Sequence, residues 1–172
     1  VAKAAKNDLP VLVTGETGTG KELFSLAIHD NSRRNLFQFV VVDCASLPEH
    51  LVESTLFGHA KGAFTGAVSR RIGKFEEAHG GTLLLDEISE MDLRLQSKLL
   101  RAIQEKEIDR IGGKKPIIVD TRIIATSNRK MEDEVSQGNF REDLYYLINI
   151  LYTKLPPLQD HKGDLPLYVE SF

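Results

Sequence analysis

Seven residues constrain this chain more than any others: Gly15-Glu16-Thr17-Gly18-Thr19-Gly20-Lys21, set between the apolar run Val11-Leu12-Val13 and the helical pattern Glu22-Leu23-Phe24-Ser25-Leu26-Ala27-Ile28. Strand, glycine loop and helix in that order make the P-loop context. The glycines permit backbone angles and close approaches that a side chain forbids, so successive N–H groups can point inward at phosphate oxygens. The positive end of the following helix adds to the attraction, and Lys21 has the length to reach the β- and γ-phosphates of a nucleoside triphosphate. Glu22 stands where Ser or Thr usually meets the magnesium ion; a carboxylate there either repels phosphate or holds metal through water. Taken alone, the motif also fits a glycine-rich strand-to-helix turn that binds no nucleotide.

A second segment narrows that choice. Thr82-Leu83-Leu84-Leu85-Asp86-Glu87 is a short apolar run ending in two acids, as expected of a buried parallel strand that delivers carboxylates at its C-terminal edge. In that reading Asp86 holds a hydrated magnesium ion and Glu87 polarises the attacking water. The competing reading is a strand running into an acidic helix cap, since Asp86, Glu87 and Ser89 all suit a helix start.

The rest of the chain repeats the same alternation. Strand-like runs at Val11–Thr14, Phe39–Asp43, Thr82–Asp86, Thr121–Thr126 and Ile148–Thr153 are interleaved with helical patterns at Lys21–His29, Glu49–Phe57 and Leu93–Glu105. This predicts a parallel sheet covered by helices. Leu95, Leu99, Ala102 and Ile103 fall on one face of the last helix, which packs it on the sheet. At 172 residues, with 41% hydrophobic and 27% charged residues, the chain suits one well-buried domain. Its longest apolar runs are strand-length, with no charged-then-apolar leader, so a cytoplasmic protein is expected. Cys44 is the single cysteine, which excludes an internal disulfide and suits a small buried residue. A net charge of −3 gives no general pull toward nucleic acid.

Two stretches interrupt the scheme. Gly58-His59-Ala60-Lys61-Gly62-Ala63-Phe64-Thr65-Gly66-Ala67 places Phe64 at the tip of a glycine-rich, flexible loop, suited to touching a partner, although an aromatic there also packs well into a core. Residues 107–119 read as a hairpin turning at Gly112-Gly113.

Gly62-Ala63-Phe64-Thr65-Gly66-Ala67 is identical to the signature loop of the bacterial sigma-54-dependent transcriptional activators, the enhancer-binding AAA+ ATPases, and lies between the two nucleotide motifs as in that family. Gly15–Glu22, Leu56-Phe57-Gly58-His59, Gly80–Ile88, Arg110-Ile111-Gly112-Gly113, Phe140-Arg141-Glu142-Asp143-Leu144 and Leu155-Pro156-Pro157-Leu158 also resemble it, so the likeness covers nearly the whole chain. Glu22 is common at its position in that family. The resemblance implies a three-layer α/β/α P-loop NTPase of the AAA+ class with a mostly parallel five-stranded sheet. It further implies binding of ATP with Mg²⁺ and assembly into a ring, usually a hexamer. The residues Gly62, Ala63, Phe64, Thr65, Gly66 and Ala67 would contact sigma-54 and remodel the closed complex of its RNA polymerase holoenzyme. The hairpin would support and move that loop. Ser127 and Asn128 match the position that senses the γ-phosphate, though a polar pair there also suits a turn cap. Arg141 matches an arginine that reaches the neighbouring subunit's ATP, where its fixed fork can neutralise charge on the transferring phosphoryl group; otherwise it is a surface arginine pairing with Glu142 or Asp143.

The sequence departs from the family in three places. Leu147 replaces a second arginine and can neutralise no phosphate, which points to weak hydrolysis. Asp43 replaces an Asn that holds the catalytic glutamate, and an ionised Asp43 would repel Glu87 where Asn donates to it. Gln159-Asp160-His161 replaces an arginine-rich stretch. By the same likeness, residues 1–172 are expected to be the α/β part of a longer protein without its helical lid, itself a weak nucleotide binder and a monomer. DNA would be reached only through a domain outside it, and a two-component regulatory domain is left open. Against an ATPase that activates transcription stand a nucleotide-binding regulatory module deficient in hydrolysis and an unrelated P-loop ATPase.

Overall fold

The computed structural model describes residues 1–46 and 48–157. Leu158 and Gln159-Asp160-His161 lie outside the described residues. In chain order the elements are α1 (Ala2–Ala5), β1 (Val11–Thr14), α2 (Lys21–Asp30), β2 (Phe39–Asp43), α3 (Glu49–Phe57), α4 (Lys74–Glu77) and β3 (Thr82–Asp86). A one-turn 3₁₀ helix at Ile88–Glu90 follows, then α5 (Leu93–Glu105), β4 (Glu107–Ile108), β5 (Ile117–Ile118), β6 (Arg122–Ser127), α6 (Met131–Ser136), α7 (Glu142–Ile148) and β7 (Leu151–Lys154).

Five strands form one parallel sheet in the order β2-β3-β6-β1-β7. Alternate residues of its central strands face opposite ways, and two separate cores result. Leu12, Leu83, Leu85, Ile123 and Ala125 point to one side, where they meet Leu56 of α3, Leu95 and Leu99 of α5, and Leu144 and Ile148 of α7. Val11, Val13, Leu84 and Ile124 point to the other and pack on Ala4 of α1 and Ile28 of α2. The architecture is therefore three-layered, α/β/α. The central strands are buried on both faces, which is why they read as continuous apolar runs.

Helix α5 shows how the local sequence sets an element. Asp92 caps its N-terminus, its Oδ1 accepting from the N–H groups of Arg94 at 2.8 Å and Leu95 at 3.0 Å. Leu95, Leu99 and Ala102 then recur on the buried face. Each of the two leucines contributes ~1.5–3 kcal/mol through burial.

Two strand boundaries differ from expectation. The strand expected at Thr121–Thr126 lies at Arg122–Ser127. The strand expected from Ile148 begins only at Leu151, because Ile148 closes α7 and is buried from that helix. The helix end is marked by Asn149, whose N–H donates to the Tyr145 carbonyl at 2.9 Å.

Register places the chemistry. Thr14 lies opposite Ser127, Leu85 opposite Ala125 and Asp43 opposite Asp86. The loops that follow β1, β3 and β6 therefore leave the sheet side by side at its C-terminal edge, where open parallel sheets gather their ligands.

Candidate active site

The loop after β1 is a wrapped turn. Gly18 and Gly20 have φ of 82° and 79°, in the left-handed region that side chains other than glycine rarely adopt. The Thr19 hydroxyl donates to the Glu16 carbonyl at 2.8 Å and pins the turn. Gly20 caps α2, so the free N–H groups of that helix open toward the loop. Lys21 is buried at 6% exposure. Its ammonium donates to the carbonyls of Gly15 at 2.9 Å and Glu16 at 3.2 Å and pairs with Glu87 Oε1 at 3.2 Å. The ammonium thus has two carbonyl acceptors and one carboxylate partner. Glu22 lies exposed in the first turn of α2, where its charge suits the positive helix end.

Asp86 ends β3, and Glu87 follows it at the cap position of the 3₁₀ helix, where its side chain makes no capping bond. Its φ is 53°, a left-handed conformation that is costly for a residue with a side chain. The kink turns its carboxylate across the mouth of the loop. There Oε1 meets Lys21 and Oε2 accepts the Asn128 N–H at 2.9 Å. Asn128 also reaches back, its Nδ2 donating to Thr17 Oγ1 at 3.3 Å. Lys21, Glu87, Asn128 and Thr17 thus form one connected cluster. Ser127 turns the other way, buried, and donates to Ser89 Oγ at 3.0 Å. Thr126, which carried no sequence signal, donates its hydroxyl to Asp86 Oδ1 and accepts the Glu87 N–H at 3.0 Å.

The Asp43 carboxylate, expected to face Glu87, is taken up by a local turn. Asp43 Oδ1 accepts the N–H groups of Ala45 at 2.9 Å and Ser46 at 3.2 Å, the usual behaviour of Asp at a strand end. Glu87 finds its partners in Lys21 and Asn128. Cys44 is buried next to these acids. Burial first, and then the charges of Asp43, Asp86 and Glu87, push its thiol up to about 12.

The second candidate region is a closed loop joined to the hairpin. The Gly62 N–H donates to the Ala67 carbonyl at 2.8 Å, closing a turn that leaves Phe64 46% exposed and Thr65 exposed. The Phe64 ring rests edge-on against His59 with centroids 5.0 Å apart. The hairpin pairs Glu107 with Ile118 and Ile108 with Ile117. Its tip is bonded to the loop base, since Ala60 N–H donates to the Ile111 carbonyl at 2.9 Å and Ile111 N–H to Gly58 at 3.0 Å. A Cβ on Gly112 would stand 2.9 Å from Ala63 Cβ. Beside Ile111, Arg110 anchors the hairpin by a two-pronged pair with Glu76, both side chains largely buried.

Arg141 lies just before α7. Its guanidinium grips Asp143, with Nε to Oδ1 at 3.0 Å and Nη2 to Oδ2 at 2.7 Å, while Nη1 donates to Ser97 Oγ at 3.0 Å. This is the intrasubunit pairing that the sequence also allowed. The hydrogen bond from Arg141 holds the Asp143 carboxyl below its ordinary range. Leu147 is half-buried on α7.

The sigma-54 interaction domain family matches residues 1–154 of this chain. The transcriptional regulatory protein FlbD of Caulobacter vibrioides is 58% identical over 170 residues, which cover 99% of this chain and 37% of that protein. The crystal structure of NtrX from Brucella abortus superposes with a TM-score of 0.91 at 36% identity, covering 98% of this chain and 38% of that one. The structure of the same protein in complex with ATP superposes with a TM-score of 0.88 at 35% identity, covering 98% and 36%. The chain therefore spans little more than a third of the length of these relatives.

Proposed function

The chain belongs to the sigma-54 interaction domain family, and from that premise we propose that it hydrolyses ATP to drive transcription activation through the sigma-54 form of RNA polymerase. One observation carries the reading: Lys21, Glu87 and Asn128, which lie far apart in sequence, meet at the mouth of one glycine loop, with Asp86 next to Glu87 at the end of β3. The structure of NtrX in complex with ATP supports the binding of a nucleotide.

The backbone N–H groups of residues 15–21 bind the phosphate chain, and Lys21 moves from neutral carbonyls to charged phosphate oxygens, which are stronger acceptors. That move takes from Glu87 its Oε1 partner and leaves the Asn128 N–H on Oε2. Glu87 is then free to orient water and take its proton. Asn128, joined to Glu87 and Thr17, registers the γ-phosphate. Asp86 suits Mg²⁺ coordination: Oδ1 is occupied by the Thr126 hydroxyl, and Oδ2 remains for a hydrated cation. A Mg²⁺ ion held there would neutralise charge on the phosphate oxygens during transfer.

In a ring, the element that crosses subunits is Arg141, which leaves Asp143 to reach a neighbour's nucleotide. The loop Gly62–Ala67 presents Phe64 and Thr65 to sigma-54, and the hairpin bonded to its base transmits the movement that remodels the closed promoter complex. Thr65→Ala in the intact protein is expected to abolish sigma-54 engagement while ATP turnover persists. Promoter activation at the unaltered level would refute the role given to the loop.

A further inference from the structure

We propose that Thr126 is a positioning residue for the hydrolytic centre, holding Asp86 and Glu87 in register through a single hydroxyl; the inference rests on the roles given above to those two carboxylates. Thr126 is 0% exposed, inside a strand whose every residue is buried. A hydroxyl in such a place is costly unless its proton and a lone pair are both used. Here they are used on consecutive residues. The proton goes to Asp86 Oδ1, and the oxygen accepts the Glu87 N–H at 3.0 Å.

Each bond has a separate consequence. The first fixes the rotation of the Asp86 carboxylate, so that Oδ2 is the oxygen presented to a cation. Groups that orient a metal-binding carboxylate in this way tune its affinity. The second satisfies the backbone of a residue at φ 53°. Glu87 needs that kink to bring its carboxylate to Lys21 and Asn128. Valine has nearly the same shape as threonine and would fill the same space while making neither bond.

The test compares the intact protein with Thr126→Val, Thr126→Ser and Asp86→Asn. Mn²⁺ binding to the ADP complex is followed by electron paramagnetic resonance, and the ATP turnover rate is measured against Mg²⁺ and ATP. Thr126→Val is expected to weaken Mn²⁺ binding about tenfold and to lower kcat by a similar factor, with KM for ATP changed less than about twofold. Thr126→Ser, which keeps the hydroxyl, restores both. A valine variant with unaltered Mn²⁺ affinity and kcat, beside an Asp86→Asn variant that loses Mn²⁺, overturns the inference and leaves the role of Asp86 standing. Unaltered Mn²⁺ affinity in Asp86→Asn refutes the metal role of Asp86, and the inference falls with it. Should the valine variant fail to fold, Thr126→Ala takes its place: loss with alanine and retention with serine support the hydroxyl, and equal behaviour of the two refutes it.

Discussion

Replacing His59 by alanine should loosen the Phe64 loop and destabilise the whole domain, by an amount the structure sets. The imidazole is 9% exposed and shares a 2.8 Å hydrogen bond, through Nδ1, with the hydroxyl of Ser54, itself 4% exposed. Truncation strands that hydroxyl without a partner, a cost of ~1–3 kcal/mol. It also removes the edge-on contact with Phe64, worth ~0.5–1.5 kcal/mol. The main-chain bonds between His59 and Arg71, at 3.1 and 2.9 Å, survive the change. The expected loss is therefore about 3 kcal/mol, or a fall in Tm of roughly 6–12 °C for a domain of this size. Thermal and urea unfolding measure the total. A double-mutant cycle with Phe64→Ala isolates the ring contact, with an expected coupling of ~0.5–1.5 kcal/mol. A loss below ~1 kcal/mol, or a coupling of zero, would refute the idea that His59 is the seat on which the loop rests.

Two further outcomes follow from groups near the site. Cys44, 4% exposed and with its thiol pushed up to about 12 by burial and then by three neighbouring carboxylates, should resist a disulfide reagent at pH 8 until the protein unfolds. Labelling of the native protein at the rate of a free thiol would contradict its placement. The Tyr145 hydroxyl is pushed up to about 12 from 10.0, first by burial and then by the hydrogen bond it donates to Glu132 at 2.8 Å. Because its folded value is raised, the stability it contributes is fully present below about pH 10 and is lost as the pH rises toward 12. Tyr145→Phe should flatten the stability profile in that window, and an unchanged alkaline slope would count against the assignment.

The elements that carry strong local signals were legible in the sequence. Glu49–Phe57 and Leu93–Glu105 fall where periodicity puts them, because each is long enough to show a repeating apolar face. The glycine loop and the paired acids of β3 were legible because phosphate binding and metal chemistry demand particular residue types at fixed spacing. Short elements were not. With four residues in α1, six in α6 and seven in α7, no period can establish itself. The run Ile148-Asn149-Ile150-Leu151-Tyr152-Thr153 reads as a single strand, although its first residue belongs to a helix and its strand starts only at Leu151. Thr126 was illegible for a different reason. A buried threonine in a strand looks like any β-branched residue until the register shows that its hydroxyl lies beside the end of β3. Asp43 shows the same limit: the sequence sets it against Glu87, whereas its neighbour across the sheet is Asp86 and its own turn takes up its carboxylate.

In the proposed function the cluster around Lys21 and Glu87 hydrolyses ATP with help from a neighbouring Arg141. Its most direct test is steady-state ATP turnover per subunit, measured over a range of concentrations of the intact protein and of its Glu87→Ala variant. Turnover that rises with concentration and disappears in the variant is the predicted result. Turnover at background at every concentration, with ATP still bound, would contradict the claim.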